Sequence, residues 1–484
     1  MRDKMSEGDS KGFERVLNSW DIVVIAIGAM IGWGWVISSG SWITAGGVGG
    51  AALGFVIGGV MVFFIGLTYA ELTSAMPKCG GEHVFSMKAI GPKASFVCTW
   101  GIILGYVGVI CFESCTIPLC ISYIFPEFLQ GYLYTIAGFD VYATWVIAAA
   151  LIAVVITYIN IRGIKLAAIL QTVMTLIIFI VGIFMIISGV IIGDPSNMTS
   201  HMFLEGDTWT MVSGVMAVAM LTPFFYIGFD VIPQAAEEIN VPFKKIGKIM
   251  IFSIVMAIAF YVFVILAVGL LMSPDQIAGS MQGTGLTSVD AIKFAFNSDA
   301  LANVILIGGL CGLITSWNSF LIGGSRAMYA MAESHMIPHV FAKMHSKYRT
   351  PIYALLLIGL LSIVTPMFGR EMLTWVVNVA NMGCCLAYFI VGISFLLLRK
   401  KFPDMERPYK VRNARLVGAL AICMSGFMIL MYLIPGTGST LGYHEWIILI
   451  GWWILGIVFA LDSKAKYGPL FGRSDDGTRP CDQE

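Results

Sequence analysis

The stretch Gly28-Ala29-Met30-Ile31-Gly32-Trp33-Gly34-Trp35 lies in the middle of the first long apolar segment, Trp20 to Thr44. Glycine is a poor helix former, and three glycines fall here at the depth where a membrane helix should be most regular. Hydrocarbon offers no partner for freed peptide groups, so a break is tolerated only beside protein or a water-filled cavity. We therefore expect an interrupted helix, and interrupted membrane helices commonly hold a substrate.

The composition places the chain in the membrane. Of its 484 residues, 58% are hydrophobic and 12% are charged, which is typical of an all-α polytopic membrane protein. A span needs about 20 apolar residues. The sequence predicts twelve transmembrane helices, near residues 20–44, 50–74, 95–125, 142–160, 166–192, 210–235, 248–272, 300–331, 351–368, 373–398, 414–434 and 445–462.

The basic residues predict the orientation of these spans. The N-terminal tail and every second connection carry Lys and Arg, and of 29 such residues only Lys293 and Arg370 fall on the other side. The positive-inside rule therefore places both termini in the cytoplasm, as an even number of spans requires. We expect a multi-pass protein of the cell membrane, specifically of a prokaryotic cytoplasmic membrane. The basic tails are explained as topology anchors, so no nucleic-acid partner is expected.

A second interrupted span is expected in the other half of the chain. The sixth span contains Leu221 to Asp230, and Pro223, Gly228 and Pro233 are its potential breakers. Two interrupted helices five spans apart indicate a 5+5 inverted repeat. The predicted divisions are a tail at 1–19, repeats at 20–192 and 210–398, accessory spans at 414–462 and a tail at 463–484.

The two breaks also predict the kind of ligand. Freed N–H groups can hold a carboxylate, and freed carbonyls can hold an ammonium group, so the pair suits an amino acid. The alternative is close helix packing, because Gly28 and Gly32 form a small-xxx-small pattern.

Motifs between Leu17 and Val411 follow one another in an order typical of a known family. They are Gly28-x-x-Ile31-Gly32-x-Gly34; Tyr69-Ala70-Glu71-Leu72 with Pro77-x-x-Gly80-Gly81-Glu82-His83; Gly228-Phe229-Asp230 with Ala236-Glu237-Glu238; Ser325-Arg326-Ala327-Met328-Tyr329-Ala330-Met331-Ala332; and Leu398-Arg399-Lys400-Lys401-x-Pro403-Asp404 with Arg407-Pro408-Tyr409-Lys410. In these motifs the chain resembles the amino acid-polyamine-organocation superfamily of permeases.

The resemblance implies a 5+5 inverted-repeat fold with two accessory helices, alternating access, and a site between spans 1, 3, 6, 8 and 10. It also implies roles for the residues that match the family's pattern. The backbone of the first-span break would bind the substrate carboxylate, the sixth-span break would provide an aromatic cover and an amine-binding carbonyl, and span 8 would provide a pocket wall; these residues are Ile31, Gly32, Trp33, Gly34, Phe224, Ile227, Gly228 and Phe320.

Two departures from the family's pattern affect this expectation. Trp33 stands where the family usually has a small residue, and it would either narrow the pocket or pack outward. The family's fifth-span lysine is also missing, since the span reads Gln171 to Ile178 without one. The position of the lysine ammonium group would then be taken by water or by sodium held by hydroxyls such as Ser316 and Ser319, or it would stay empty. Hydroxyls in spans more often serve helix packing.

Glu113 is the most unusual charge, because it lies near the midpoint of span 3. A carboxylate there costs about 2.5 to 3.5 kcal/mol, so it should face a cavity, find a partner or stay protonated. Proton coupling and recognition of a substrate amine are the two functional hypotheses. A neutral acid bonded to a neighbouring carbonyl is the structural alternative. Asp230 and the charges near the cytoplasmic ends form an inner gate or simply reach toward the headgroups.

The resulting hypothesis is a secondary active permease for an amino acid or related amine, coupled to protons or working by exchange. Sodium coupling and no coupling are alternatives, and a polyamine or cationic amino acid bound by Glu113 is the second substrate class. A non-transporting sensor, or an enzyme using Glu113 and Asp230, represents another class. The sequence contains no Gly-rich phosphate-binding loop, so nothing in it indicates an ATPase. No cofactor is expected. No metal site is expected, since Pro338 separates His335 from His339.

Overall fold

The structure is a computed structural model that describes residues 13–136, 138–369, 372–435 and 440–468. Residues 1–12 and 469–484, which form most of the predicted tails, lie outside the described residues, as does Arg370.

The described chain is almost entirely helical, and eleven helices are long and apolar enough to cross a membrane. They are Ser19–Ile37, Val48–Ala75, Pro92–Ile124, Ala143–Ile161, Ile164–Ile192, Thr208–Gln234, Phe243–Leu271, Asp299–Glu333, Trp375–Lys401, Ala414–Leu433 and Tyr443–Tyr467, which we number spans 1 to 8 and 10 to 12. The predicted ninth span is the shorter helix Ile352–Val364, continued by the 3-10 turn Thr365–Phe368. The polytopic helical fold is confirmed, while the count of twelve spans stays a prediction.

Burial separates central spans from peripheral ones. In the apolar centre of span 3, 94% of residues are buried, and in spans 1 and 6 the share is 78%. In span 12 it is 22%, and Ile180 of span 5 is 67% exposed. A helix that is apolar on all sides and exposed is suited to contact lipid. The buried spans therefore form a protein-lined centre in which polar groups can be held.

Span 1 is interrupted where the glycines predict it. Its first helix, Ser19–Met30, is capped by Asn18 through a reciprocal capping box with Asp21, and it ends at the Met30 and Ile31 peptide. A short helix, Gly34–Ile37, follows the break, and Ser39–Gly46 continues the chain toward span 2.

Span 6 is also interrupted, but not at the prolines. Its first helix, Thr208–Tyr226, runs through Pro223, and the short helix Val231–Gln234 contains Pro233. The expectation that these prolines break the span is therefore wrong. The break covers residues 227–230, where Gly228 has a φ of 139°, a conformation that favours glycine.

The connections carry secondary structure of their own. On the side that the basic residues predict to be cytoplasmic are helix Glu82–Ala89 and the 3-10 turns Ala236–Glu238 and His339–Ala342. On the outer side are the 3-10 turn Pro126–Phe128, helix Pro195–Thr199, and an antiparallel hairpin of strands Tyr132–Ile136 and Phe139–Tyr142 that the sequence did not predict. Helix Met372–Lys401 includes span 10.

The long outer connection between Ser273 and Asp299 contains two helices, Pro274–Gln282 and Thr287–Phe296. The second contacts the outer half of span 1, because the Ser288 hydroxyl donates to the Trp35 carbonyl at 2.7 Å. A hydrogen bond therefore joins the outer connection directly to the helix that follows the first break.

Candidate functional site

The breaks of spans 1 and 6 lie against each other. A Cβ atom on Gly228 would lie 2.6 Å from the Ala29 Cβ and 2.9 Å from the Met30 nitrogen, closer than real Cβ atoms approach. Only a residue without a side chain allows this contact. The predicted pairing of the two interruptions is thus a physical contact at the centre of the protein.

The breaks expose backbone groups of both kinds. Within the described residues, the N–H groups of Gly32 and Trp33 donate to no protein atom, and the Ile227 carbonyl accepts no hydrogen bond. Met30 is different, because its carbonyl accepts from the Tyr261 hydroxyl of span 7 at 2.8 Å. Buried peptide groups are nearly always paired, so open donors and acceptors at one place indicate a place for a polar ligand.

Glu113 reaches the first of these breaks from span 3. A Cβ atom on Gly32 would lie 2.9 Å from Glu113 Oε1 and 3.3 Å from the Ser316 hydroxyl of span 8. The Ser316 hydroxyl interacts with the carboxyl group, while Glu113 Oε2 has no hydrogen-bond partner. Glu113 is 2% exposed, and within the described residues it forms no ion pair. Three of the predicted site residues therefore meet at one point.

Two predicted aromatic residues, Phe224 and Phe320, lie in the spans beside the Gly32–Glu113–Ser316 contact and pack against rings of span 3. Phe224 packs edge-on against Phe112, with ring centroids 5.5 Å apart, and Phe112 is the neighbour of Glu113. Phe320 lies one helical turn after Ser316, about 6 Å toward the cytoplasm. It packs against Tyr106 at 5.4 Å.

Trp33 turns its ring toward span 8. A Cβ atom on Gly309 would overlap ring atoms of Trp33, so the absence of a side chain at 309 makes room for the indole. Trp33 is 1% exposed, and its Nε1 has no hydrogen-bond partner. Of the two expected orientations, this geometry supports packing. Trp35 packs separately, edge-on against Phe260 of span 7 at 5.7 Å.

Asp230 lies on the cytoplasmic side of the sixth-span break and is fully buried. Its carboxyl group accepts from the Gly228 N–H at 2.9 Å and from the Tyr388 hydroxyl of span 10 at 2.9 Å. Its carbonyl accepts from the Tyr106 hydroxyl of span 3 at 3.1 Å. Asp230 therefore links spans 3, 6 and 10 at the end of the break, and its role in an inner gate stays a prediction.

Three buried amides, on spans 4, 5 and 8, form a network beside span 1. Gln171 Nε2 donates to the Val24 carbonyl of span 1 at 3.3 Å, and Asn318 Nδ2 of span 8 donates to Gln171 Oε1 at 2.8 Å. Asn160 of span 4 donates to Asn318 Oδ1 at 2.9 Å. The sequence does not distinguish Gln171 from other polar residues of the spans. Its part in the network is shown only by its contacts with Val24 and Asn318.

The hydroxyls considered for sodium divide between two places. Ser316 lies beside Gly32 and Glu113, whereas the Ser319 hydroxyl donates to the Ile25 carbonyl at 3.1 Å. Ser319 therefore joins spans 1 and 8 by a hydrogen bond, as a packing hydroxyl does.

Ion pairs close the cytoplasmic end. Arg326 of span 8 donates to both oxygens of Glu238 at 3.0 Å, and both side chains are almost fully buried. Arg399 donates to both oxygens of Glu71 at 2.6 Å, and Arg407 lies 3.2 Å from the same group. These charges are paired inside the protein and do not extend toward the headgroups.

The comparisons with known proteins agree with this architecture. Residues 17–459 match the amino acid permease family. The chain is 27% identical to a branched-chain amino acid permease of Bacillus subtilis and 26% identical to a methylthioribose transporter of the same organism, each over 95% of both chains. It is 25% identical to a lysine-specific permease of Escherichia coli, over 81% of this chain and 80% of the permease. This integral membrane protein therefore belongs to the amino acid permease family, whose members are transporters and not enzymes.

Proposed function

We propose that the protein carries an amino acid or related amine across a cell membrane by alternating access, as a secondary active transporter. The substrate carboxylate binds the N–H groups of Gly32, Trp33 and Gly34, and its amine binds the Ile227 carbonyl. Phe224 covers the site and Phe320 forms its inner wall. Residues 20–192 and 210–398 act as the two inverted repeats around it.

The contact between Glu113 and Gly32 carries the proposal that transport is coupled to protons. The carboxyl oxygen lies 2.9 Å from where a Cβ atom of Gly32 would be, beside the N–H groups assigned to the substrate carboxylate. Two like unit charges about 4 Å apart repel by roughly 4 kcal/mol at an effective dielectric constant of 20. A proton on Glu113 removes this repulsion, so proton and substrate each favour the binding of the other.

Sodium coupling has less support. The Ser319 hydroxyl is used in a bond to the Ile25 carbonyl, and Gln171 and Asn318 bond to each other and to the Val24 carbonyl, so these polar groups already have partners without a cation.

Transport assays in proteoliposomes test the proposal. Radiolabelled amino acids should accumulate when a proton gradient is imposed, and Glu113→Gln should abolish accumulation by this gradient while retaining exchange against preloaded substrate. Glu127→Gln, at an exposed outer carboxyl, is the matched control and should behave as the wild type. Proton-driven accumulation that persists in Glu113→Gln would overturn the assignment of Glu113. Binding of an amino acid without any flux would instead indicate a sensor.

A cationic substrate is the second candidate, and the unpartnered Glu113 Oε2 favours it. A substrate ammonium or guanidinium group would supply the missing hydrogen bond and the missing positive charge. Glu113→Gln would then shift uptake from cationic to neutral amino acids, with no change in the driving ion.

A further inference from the structure

A second buried carboxyl group lies at the cytoplasmic end of the pathway, apart from Glu113. Glu82 begins the helix that follows span 2, and it is fully buried although it lies outside the spans. Gln234, the last residue of span 6, donates Nε2–H to Glu82 Oε2. Asp230 lies one helical turn earlier in the same span, so its carboxyl group shares the region.

This cluster has acceptor oxygens without donors. Glu82 Oε1 and Gln234 Oε1 are both buried, and neither has a hydrogen-bond partner within the described residues. The nearby Tyr69 hydroxyl interacts with the same carboxyl group but leaves Oε1 without a hydrogen bond. A buried acceptor without a donor costs about 1–3 kcal/mol. A proton on Glu82 Oε1 would supply a donor, and an acid and an amide can pair through two hydrogen bonds.

The groups that surround the Glu82 carboxyl are acidic or neutral. From spans 2, 3, 6 and 10 they are Tyr69, Cys98, Tyr106, Asp230, Gln234 and Cys384. Three bases of adjoining elements have other partners, and Lys78 of the same connection is exposed. Arg326 pairs with Glu238, Lys401 donates to the Ala89 carbonyl, and His83 contacts Ser334 and Ser95. Burial, followed by the charge of Asp230, raises the pKa of Glu82 well above its usual range.

We propose that Glu82 is a proton-binding site on the cytoplasmic side, and that its proton holds the inner end of the pathway closed. The inference rests on the proposed alternating access. Span 6, span 10 and the connection between spans 2 and 3 meet here through Gln234, Tyr388 and Glu82. When Glu82 loses its proton to the cytoplasm, two carboxylates share a pocket without a base, and the elements separate.

The sign of the pH effect follows from the raised pKa. The proton stabilises the closed conformer fully below the ordinary carboxyl pKa, and this stabilisation is lost as pH rises through the raised pKa of the closed state. A more alkaline cytoplasm should therefore open the inner end. Below the raised pKa, the closed-to-open ratio should change by at most about tenfold per pH unit.

Infrared difference spectroscopy on the purified full chain tests the bound proton directly. The wild type at neutral pH should show the carbonyl absorption of protonated carboxyl groups, and Glu82→Gln should lose one absorption that Glu113→Gln keeps. An unchanged spectrum in Glu82→Gln would overturn the proposal. Glu127→Gln serves as the exposed control. Gln234→Met keeps the acid but removes its amide partner, so the absorption should shift; an absorption without a shift would contradict the pairing.

Exchange rates provide the functional readout. In a Glu113→Gln background, which removes the other proposed proton site, the rate should rise as the pH on both sides of the liposome goes from mildly acidic to mildly alkaline, whereas adding Glu82→Gln should make exchange slow and nearly independent of pH. Equal pH dependence in the two proteins would contradict the closing role. If no substrate is transported at all, the infrared result still decides whether Glu82 binds a proton. The two proposals therefore fail in distinguishable ways.

Discussion

At Gly228 and Gly32, a single methyl group decides whether the site can form. At Gly228 both space and backbone conformation exclude a side chain, since φ is 139° and the helix of span 1 is in contact. At Gly32 the obstacle is the end of a flexible side chain, the Glu113 carboxyl, which can move. The two glycines should therefore respond differently to the same substitution.

Gly228→Ala should lower stability by about 1–3 kcal/mol through backbone strain, and it should abolish transport because the breaks are forced apart. Gly32→Ala should retain the fold but weaken substrate binding. The melting temperature in detergent and uptake in proteoliposomes measure these effects. Gly279→Ala is the matched control, because nothing lies within 4 Å of its would-be Cβ atom. A Gly228→Ala protein as stable and active as the control would show that the breaks do not need to touch.

Sequence reasoning predicted the positions of these glycines but not the directions of their neighbours. The pattern around Gly32 indicated a break, and hydrocarbon depth made Glu113 conspicuous. The orientation of Trp33 depends on where the helix ends and on the space above Gly309, which the local sequence does not contain. The sequence did not predict the burial of Glu82, because a carboxyl group outside the spans is expected to be solvated unless the fold buries it.

At the scale of the elements, the amide network explains how the peripheral spans 4 and 5 hold the centre. Asn318 accepts from Asn160 and donates to the Ala167 carbonyl and to Gln171. All of these groups are buried, so each needs its partner. The sequence alone does not show the network, because it joins spans 4 and 5 to span 8, where Asn318 lies 147 to 158 residues further along the chain.

Asn318→Ala should lower the melting temperature, since three buried hydrogen bonds are lost at about 0.5–1.5 kcal/mol each. Replacement of sodium by a large organic cation should leave wild-type uptake unchanged, because the network needs no cation. Asn197→Ala, at an outer loop, is the control for the loss of an amide. Dependence of uptake on sodium would contradict the assignment of this region as a neutral network.

The breaks of spans 1 and 6 also show why proline was a poor guide. Pro223 costs span 6 one backbone hydrogen bond, yet neighbouring spans can compensate for this loss within a packed protein. A positive φ cannot be compensated in the same way, so the helix ends before Gly228.

At the scale of the whole molecule, charge distribution predicts orientation. The ion pairs of Glu71 and Glu238 and most of the basic loops lie at one end, whereas Lys293 lies at the other, paired with Asp299 at 2.6 Å. Under the positive-inside rule the first end faces the cytoplasm.

Cysteine labelling in intact cells measures this orientation. A membrane-impermeant maleimide should label Glu205→Cys, on an exposed outer loop, but should label Lys347→Cys only after the cells are opened. The unsubstituted protein gives the background from its own cysteines. Reversed labelling would place the termini outside and would exclude Glu82 from the cytoplasmic face.

The hydrogen bond from Ser288 to Trp35 has a consequence for pharmacology. This bond connects the outer helix Thr287–Phe296 to the part of span 1 that begins at the proposed site for the substrate carboxylate. An antibody fragment that immobilises Thr287–Phe296 from outside the cell would restrain that part of the site without entering the bilayer. The outer connection thus offers an epitope from which the proposed site would be restrained allosterically.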